Sequence, residues 1–266
     1  LVTRPARQAT GLANMLIALG ARAKRLPAIE IKALAPSSDD NAAQLNRFEW
    51  LKRLSKFDFA IFISPNAVQY GAALILAQGR IPDKLKLATI GKASAEQLFQ
   101  CTGRTPDIYP ADEFNSEALL AQPPLQQALL MDKNILIVRG MGGREYLAEE
   151  LRKRGANVEY AEVYQRCLPR IDEKQRTEIW GSDAPQIITI TSAEGLNNLL
   201  QLAELHYQPL LLRTPLVVVT QKMISIAREL GFSNDIIVAD KASNQALVDG
   251  VLQWSKKQRL KQQNVL

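Results

Sequence analysis

The sequence predicts an α/β protein built on parallel β-sheets. Short apolar runs rich in Ile and Val alternate along the chain with longer amphipathic stretches of helical period. Runs of this kind are typical of strands buried on both faces of a parallel sheet, and the alternation is typical of βαβ units. The predicted strands are 1–3, 59–63, 87–90, 135–138, 187–191, 216–219 and 236–238.

Two of the intervening segments carry clear helix signals. Over 12–19, apolar residues recur at i, i+3, i+4 and i+7, and Gly20 follows as a helix stop. The same spacing recurs over 223–230, and Gly231 follows it. These patterns predict helices that each bury one face against a sheet.

The composition of the 266-residue chain is that of a folded globular protein. Apolar residues make up 47% of it and charged residues 23%, which excludes disorder, collagen-like repeats and coiled coil. The length suits two domains of ordinary size. Because no apolar run approaches the roughly 18 to 20 residues that cross a bilayer, we expect no membrane partner.

The charge is moderately basic, with 33 Lys and Arg against 27 Asp and Glu, a formal net charge of +6. These residues do not form a basic stripe interleaved with aromatics, so nucleic acid is not an expected partner. A dispersed positive charge instead favours a small polyanionic substrate.

The histidine and cysteine content excludes some metal sites and indicates the redox state of the compartment. His206 is the only histidine, which excludes zinc sites that need two or more. Cys101 and Cys167 form no CxxC pair and suit a reducing compartment. No signal-peptide hydrophobic region precedes the first predicted strand, so the expected location is cytoplasmic.

The sequence also contains an internal duplication. The segment from Leu1 aligns with the one from Leu136, so that Arg4 falls on Arg139 and Gly20 on Gly155. Segments around 64, 87 and 111 align in the same order with segments around 192, 216 and 239. The order predicts a duplicated α/β unit whose polar loops lie at the carboxyl ends of its strands. Ligands bind at that edge, so two facing edges predict an inter-domain cleft.

Two domain arrangements are compatible with this pattern. Tandem domains would meet near 122–134. Alternatively, the first βα unit packs with the C-terminal half and the middle forms an inserted domain, with extended crossings near 28–34 and 163–168. Periodicity alone does not choose between them.

A glycine-rich turn after the predicted strand 135–138 is a candidate anion site. It contains Gly140, Gly142, Gly143 and Arg144 and leads into a predicted helix, where backbone N–H groups and the helix dipole favour an anion. The spacing is not that of a dinucleotide fingerprint, because the last glycine position falls on a glutamate. A tight turn without a ligand is the alternative.

Hydroxyl residues follow two other predicted strands. Ser64, Pro65 and Asn66 end one strand, and Thr191 and Ser192 end another. The simplest interpretation is helix N-capping, worth about 1 kcal/mol each. The same hydroxyls also suit a cleft that binds acidic groups. The sequence has no GxSxG elbow, so a serine nucleophile is not expected.

Three further residues are candidates for contact with a ligand. Arg4 and Arg139 end equivalent strands, and each suits either a bidentate pair with a carboxylate or an internal salt bridge. Tyr164 lies in an extended crossing segment, where its hydroxyl either reaches a cleft or packs against the fold.

Taken together, these segments resemble uroporphyrinogen-III synthase. The matching pieces are VTRP, ISPNAV, ATIGKASA, YPADEFNSEALL, ILIVRGMGGREYLAEELRKRGANVEYAEVYQR, ITSAEGL and VADKASNQALV. The match runs over about 1–252, and RGMGGRE followed by VYQR is its most specific part. No single motif is diagnostic, but the order of the whole set is.

The resemblance implies two similar flavodoxin-like parallel-sheet domains, joined by a two-stranded linker, with a cleft between them. It selects the inserted arrangement. The expected boundaries are 1–32 with 169–256 for domain 1, 35–163 for domain 2, 28–34 and 163–168 for the linker strands, and 257–266 for a basic tail.

The resemblance also implies an activity. The family closes linear hydroxymethylbilane to uroporphyrinogen III, with loss of water and inversion of ring D through a spiro intermediate, and uses neither metal nor organic cofactor. It implies a monomeric enzyme of heme biosynthesis, with the bilane-forming enzyme as an expected further partner. The alternative is a two-domain small-ligand binding protein without catalysis, which lacks support from any export signal or DNA-binding headpiece.

The family pattern implies Tyr164 as the acid that assists loss of the hydroxyl group. Ser64, Ser94, Arg144 and Ser192 match positions that line the family's cleft. The sequence departs from the pattern at Thr220–Met223, where Lys222 is expected to replace a hydroxyl contact. The full expected substrate-binding set is Arg4, Ser64, Pro65, Asn66, Gly91, Lys92, Ser94, Arg139, Gly140, Gly142, Gly143, Arg144, Thr191, Ser192 and Lys222.

Overall fold

The structure, a computed structural model, describes residues 1–36 and 46–263. The chain forms two compact units. One comprises Leu1–Ile31 with Cys167–Leu266, and the other comprises Lys32–Arg166. Residues 37–45 of the expected domain 35–163 and residues 264–266 of the expected tail lie outside the described residues.

The unit Lys32–Arg166 is organised on a five-stranded sheet. Its strands are β1 (Glu30–Ala33), β2 (Phe59–Phe62), β3 (Lys86–Thr89), β4 (Asn134–Gly140) and β5 (Asn157–Cys167), in the order β1-β5-β4-β2-β3. The pairs β5-β4, β4-β2 and β2-β3 are parallel. An isolated parallel bridge joins Ile108 to Ala88 beyond β3. All four residues of β2 are buried, as expected for a strand covered on both faces.

Short helices and 3₁₀ turns cover this sheet. They are α2 (Glu49–Lys52), a 3₁₀ turn (Leu54–Lys56), α3 (Pro65–Ala77), α4 (Lys92–Thr102), α5 (Ser116–Leu120), a 3₁₀ turn (Pro123–Leu125), α6 (Gln127–Leu130) and α7 (Tyr146–Lys153). Proline at the first position of α3 is preorganised for the helix. Helix α3 also packs closely on the sheet, because a Cβ on Gly71 would lie 2.6 Å from Val138.

The other unit has a shorter sheet. Its strands β6 (Ile188–Thr189), β7 (Leu216–Val218) and β8 (Ile236–Val238) are parallel and lie in that order. Val2 extends the sheet by parallel bridges to Thr189 and Arg25. The helices are α1 (Ala6–Ala18), α8 (Glu173–Trp180), α9 (Ala193–Leu212), α10 (Gln221–Glu229) and α11 (Asn244–Gln263).

The predicted α/β class is confirmed, and the strand order adds a detail. In the shorter sheet, neighbouring backbone segments pass through residues 25, 2, 189, 217 and 237, in that spatial order. In the five-stranded sheet, the corresponding spatial order beyond β1 is 157–167, 134–140, 59–62, 86–89 and residue 108. Within each unit, the loops that follow parallel strands therefore gather at the carboxyl edge of that unit's own sheet.

The basic segment after 256 continues α11 as far as Gln263. Lys257 and Lys261 reach back to Asp235, with Nζ–Oδ distances of 2.9 and 3.6 Å. The hydrogen bond from Lys257 is the main cause that holds the pKa of Asp235 below its ordinary value. Over the described residues, no helix is long and apolar enough to cross a membrane.

Candidate active site at the edge of the five-stranded sheet

A pocket of about 300 Å³ lies where β4 ends and α7 begins, inside the unit Lys32–Arg166. Its lining combines apolar side chains with guanidinium groups, tyrosine rings and the backbone of the glycine-rich turn. The lining residues are Ile63, Ile90, Ser116, Ile137, Arg139, Gly140, Met141, Gly142, Gly143, Arg144, Leu147, Ala148, Tyr160, Tyr164 and Arg166. An apolar concavity with a few convergent polar groups is the usual form of a small-molecule site.

The glycine-rich turn forms one wall of this pocket. Its backbone enters the left-handed region at two consecutive residues. Gly142 has φ +70° and Gly143 has φ +111°. These angles are readily available only to glycine. The turn is also closely packed, since a Cβ on Gly143 would lie 2.7 Å from Nη2 of Arg139.

Arg139 binds its own turn. Its side chain is 3% exposed, and its Nη1 lies 3.0 Å from Oε1 of Glu145. Nη2 donates to the carbonyl of Gly142, and Nε donates to the carbonyl of Gly140 at 3.3 Å. A planar fork that meets three acceptors in this way clamps the turn, a role that a lysine ammonium does not reproduce.

Tyr160 and Glu145 complete this clamp. The ring of Tyr160 lies under the Arg139 guanidinium, 4.6 Å from its central carbon to the ring centroid, and the phenol donates to Oε2 of Glu145. That hydrogen bond, more than the ion pair with Arg139, lowers the pKa of Glu145. Burial, and then the same hydrogen bond, raises the pKa of Tyr160. At neutral pH the clamp therefore joins an ionised carboxylate to a neutral phenol.

Tyr164 reaches the pocket through a bulge in β5. Arg139 pairs with Glu162, but the next residue, Gly140, pairs with Tyr164, so β5 has one extra residue at this step. Bulges re-aim side chains and often occur beside active sites. The Tyr164 side chain is buried, with the residue 2% exposed, against Gly140, whose added Cβ would lie 2.6 Å from the ring.

The hydroxyl of Tyr164 meets the start of α3. Its Oη lies 3.3 Å from Oγ of Ser64, and that Oγ also accepts the Ala67 N–H at 3.0 Å as the N-cap of the helix. The ring of Tyr70 packs beside Tyr164 with centroids 5.9 Å apart. A phenol is thus held in a defined orientation at the pocket, next to a capped helix N-terminus.

Within the unit Lys32–Arg166, part of the expected site lines one pocket. Six of the expected site residues line the pocket, namely Arg139, Gly140, Gly142, Gly143, Arg144 and Tyr164. Ser64 is not among the lining residues, but its hydroxyl lies within hydrogen-bond distance of the lining residue Tyr164. Pro65 and Asn66 form the first turn of α3 and are not among the lining residues.

The three expected residues at the start of α4 lie in the same unit but do not line this pocket. Gly91 is buried against Phe114, where a Cβ would lie 2.6 Å from the ring. Lys92 is exposed and pairs with Glu96 at 3.9 Å. Ser94 is 4% exposed inside the helix.

The remaining expected residues, Arg4, Thr191, Ser192 and Lys222, belong to the other unit. Arg4 donates to Oδ1 of Asn244 at 2.7 Å and to the carbonyl of Ala242, and burial lowers its pKa. Ser192 caps α9 by accepting the Gly195 N–H at 3.0 Å. Lys222 lies exposed in the first turn of α10. Like Arg139, Arg4 is engaged with a loop of its own unit.

Sequence reasoning did not single out Tyr160, Glu162, Ser116 or Arg166. Glu162 accepts the Gly142 N–H on Oε1 at 3.1 Å, and the other three line the pocket. The predicted extended segment began only at 163, whereas β5 begins at Asn157, so Tyr160 and Glu162 lie on the strand and share one of its faces. Over the part of the chain that the structure describes, no cluster of three His, Cys, Asp or Glu residues is placed to hold a metal ion.

A parallel sheet with a pocket of this kind at its carboxyl edge defines an α/β protein with a candidate small-molecule site. Comparison with known proteins gives the family within that class. The chain belongs to the uroporphyrinogen-III synthase family, because the family model described as uroporphyrinogen-III synthase HemD matches residues 11–249. The resemblance inferred from the sequence is confirmed.

Relatives and solved structures agree with this assignment. The chain is 37% identical to the uroporphyrinogen-III synthase of Salmonella typhimurium over 93% of this chain and 97% of that protein. It is 35% identical to the enzyme of Escherichia coli strain K12 over the same shares. The crystal structure of the Helicobacter pylori enzyme shares the fold with a TM-score of 0.56 at 17% identity, over 88% of this chain and 94% of that one. A mutant Thermus thermophilus enzyme matches with a TM-score of 0.56 at 15% identity, over 97% and 99%.

Proposed function

We propose that this protein closes linear hydroxymethylbilane to uroporphyrinogen III, with loss of water and inversion of ring D. The observation that carries the proposal is the buried Tyr164, which lines a pocket together with arginine side chains in a chain of this family. The bilane carries eight carboxylates, so a site of this charge suits it.

Tyr164 is the proposed acid for loss of the hydroxyl group. The lone pair of the terminal pyrrole nitrogen expels the hydroxyl, which leaves as water once it takes the phenol proton. The carbon left behind is an electrophilic azafulvene, which the substituted carbon of ring D attacks to form the spiro intermediate. The bond between that carbon and the methylene group from ring C then breaks, and the methylene rejoins ring D at its free α-carbon, which inverts the ring. The proton lost from this α-carbon restores the phenol. A positioned acid of this kind contributes about 10²- to 10⁴-fold in rate.

The glycine turn and Arg144 are the proposed carboxylate-binding elements of this pocket. Arg144 is exposed at the rim, whereas Arg139 is occupied by the carbonyls of Gly140 and Gly142 and by Glu145. We therefore assign Arg144 to direct contact with a substrate carboxylate and Arg139 to holding the turn in shape. Positioning of the flexible bilane supplies much of the rate effect, because the reaction needs one particular folded conformation.

The finer fold is part of the same proposal, namely two similar flavodoxin-like domains joined by a two-stranded linker. Its support is the strand order of each unit, which follows the 2-1-3-4-5 order of that fold when the unit Lys32–Arg166 is counted from β4 and its edge strand β1 is set aside. The cleft, the substrate contacts of Arg4, Thr191, Ser192 and Lys222, the monomeric state and the cytoplasmic location stay predictions. So does an encounter with the bilane-forming enzyme.

The test is a coupled assay in which freshly generated hydroxymethylbilane is supplied and the uroporphyrinogen isomers are separated. Uncatalysed closure keeps ring D uninverted and gives isomer I, so the expected result is enrichment of isomer III with wild-type protein. A wild-type protein that binds bilane and leaves the isomer ratio of the blank unchanged would reject catalysis. That outcome would support the alternative of a small-ligand binding protein.

A further inference from the structure

We propose that Ser64 is a positioning residue for Tyr164, and that its hydroxyl donates to the Tyr164 oxygen so that the phenol proton faces the pocket. This inference rests on the proposed function. It gives Ser64 a role different from the carboxylate contact expected from the sequence.

The hydrogen bonds around Ser64 indicate that its hydroxyl is the donor in the contact with Tyr164. Its Oγ already accepts the N–H of Ala67 at 3.0 Å, at the N-terminus of the 13-residue helix α3. The hydroxyl proton of Ser64 remains for a second partner, and Oη of Tyr164 lies 3.3 Å away. Because the helix N-terminus is the positive end of the helix dipole, it polarises the Ser64 O–H as a donor. If Ser64 donates, the single proton of Tyr164 is available for the pocket.

The ring of Tyr164 is held so that this contact is maintained. The side chain is buried, Gly140 lies against one edge of the ring, and Tyr70 packs 5.9 Å away between centroids. The position of the phenol oxygen is therefore set by packing. The direction of its proton depends on the hydrogen bond with Ser64.

The contact matters most during loss of the hydroxyl group. As the C–O bond of the hydroxymethyl group breaks, the O–H bond of Tyr164 breaks and its proton joins the leaving oxygen to form water. The electron pair stays on the Tyr164 oxygen, where the Ser64 hydroxyl stabilises the negative charge until the proton lost from ring D returns. An interaction that strengthens in the transition state affects kcat more than KM.

A double-mutant cycle tests whether Ser64 acts through Tyr164. We expect Ser64→Ala to lower kcat on the order of tenfold with little change in KM, since a charge-assisted hydrogen bond is lost. In the Tyr164→Phe background, the same change should have almost no further effect on kcat. Effects that multiply in the double variant, or a Ser64→Ala effect confined to KM, would show that Ser64 contacts the substrate directly and would overturn the proposal.

Two further substitutions distinguish the role of Ser64 as a hydrogen-bond donor from its role as a helix N-cap. Ser64→Thr retains both and should keep kcat within about twofold. Ser64→Asp keeps a strong N-cap but only accepts hydrogen bonds, so it should draw the phenol proton away from the pocket and lower kcat below that of Ser64→Ala. Restored kcat in Ser64→Asp would show that capping alone is the role of Ser64.

Asp172→Ala is the matched control for the loss of a cap. Asp172 caps α8 by accepting the Gln175 N–H at 2.8 Å, in the other unit. We expect Asp172→Ala and Ser64→Ala to lower the melting temperature by a similar amount, about 2 to 4 °C, and only Ser64→Ala to lower kcat. An equal loss of kcat in both would assign the effect to stability and reject the proposal. A wild-type protein without isomer III enrichment would instead refute the proposed function.

Discussion

Replacement of Gly140 by alanine offers a direct test of the site, because a single methyl group would displace Tyr164. The added Cβ would lie 2.6 Å from two ring carbons of Tyr164 and 3.0 Å from its hydroxyl oxygen. Ordinary contact begins near 3.4 Å, so the ring must move by about 3.4 − 2.6 = 0.8 Å. The φ of Gly140 is not in the left-handed region, so the cost comes from the contact rather than from backbone strain.

Both stability and rate should respond to this displacement. Overpacking of a close contact costs about 1 to 3 kcal/mol in the free energy of unfolding. A misplacement of roughly 1 Å at a catalytic group costs on the order of 10²-fold in rate. We therefore expect Gly140→Ala to lose about 1 to 3 kcal/mol in urea unfolding and about 100-fold in kcat for isomer III formation.

Gly250→Ala is the control for overpacking alone. Its Cβ would lie 2.7 Å from a methyl group of Val217, in the other unit, so a similar loss of stability is expected with kcat unchanged. If Gly140→Ala keeps the wild-type kcat, then the close packing of Gly140 on Tyr164 is not needed for activity and the assignment of Tyr164 as the acid loses its geometric basis.

Three further predictions concern the same pocket. Tyr164→Phe should lower kcat about 10²- to 10⁴-fold in the isomer assay while the protein stays folded, and a loss within twofold would reject the acid role. Arg139→Lys should cost about 1 to 3 kcal/mol in urea unfolding, because the buried carbonyl of Gly140 and the partly buried carbonyl of Gly142 lose donors, and an unchanged midpoint would contradict the clamp. The pKa of Glu145 is lowered below its ordinary 4.5, so its stabilising effect is complete above pH 4.5 and is lost as pH falls through the lowered value. The stability difference between wild type and Glu145→Gln, followed by urea unfolding across that range, should therefore shrink on acidification, and a difference that stays constant would argue against the contact.

The two arginines at equivalent strand ends show that the sequence predicts where a residue lies, whereas the tertiary structure determines which groups it contacts. Arg4 and Arg139 were both expected to meet a substrate carboxylate or an internal salt bridge. In the structure Arg139 binds Glu145 and two carbonyls of its own turn, and Arg4 binds Asn244 and the carbonyl of Ala242. The alignment located the positions, but their partners depend on how each loop folds back.

Much of the fold was readable from the sequence because its signals are local. Buried parallel strands need continuous apolar runs, and the runs at 59–63, 87–90 and 135–138 became β2, β3 and β4. The run at 1–3 contributes Val2 by isolated bridges only, since its neighbours on either side are short. The glycine turn was also readable, because a left-handed backbone at 142 and 143 strongly favours glycine.

The amino-acid sequence by itself determined the α/β class, most of the sheet strands, the family and the location of the glycine turn, since each depends on residues close together in the chain or on their order. The tertiary structure alone decided that Ser64 meets Tyr164 across 100 residues of chain and that a bulge turns Tyr164 onto Gly140. It also decided that the buried Arg139 guanidinium binds Glu145 and two carbonyls of its own turn. Contacts of this kind depend on strand register and on packing distances of a few tenths of an ångström, and hydrophobic periodicity carries no information about either.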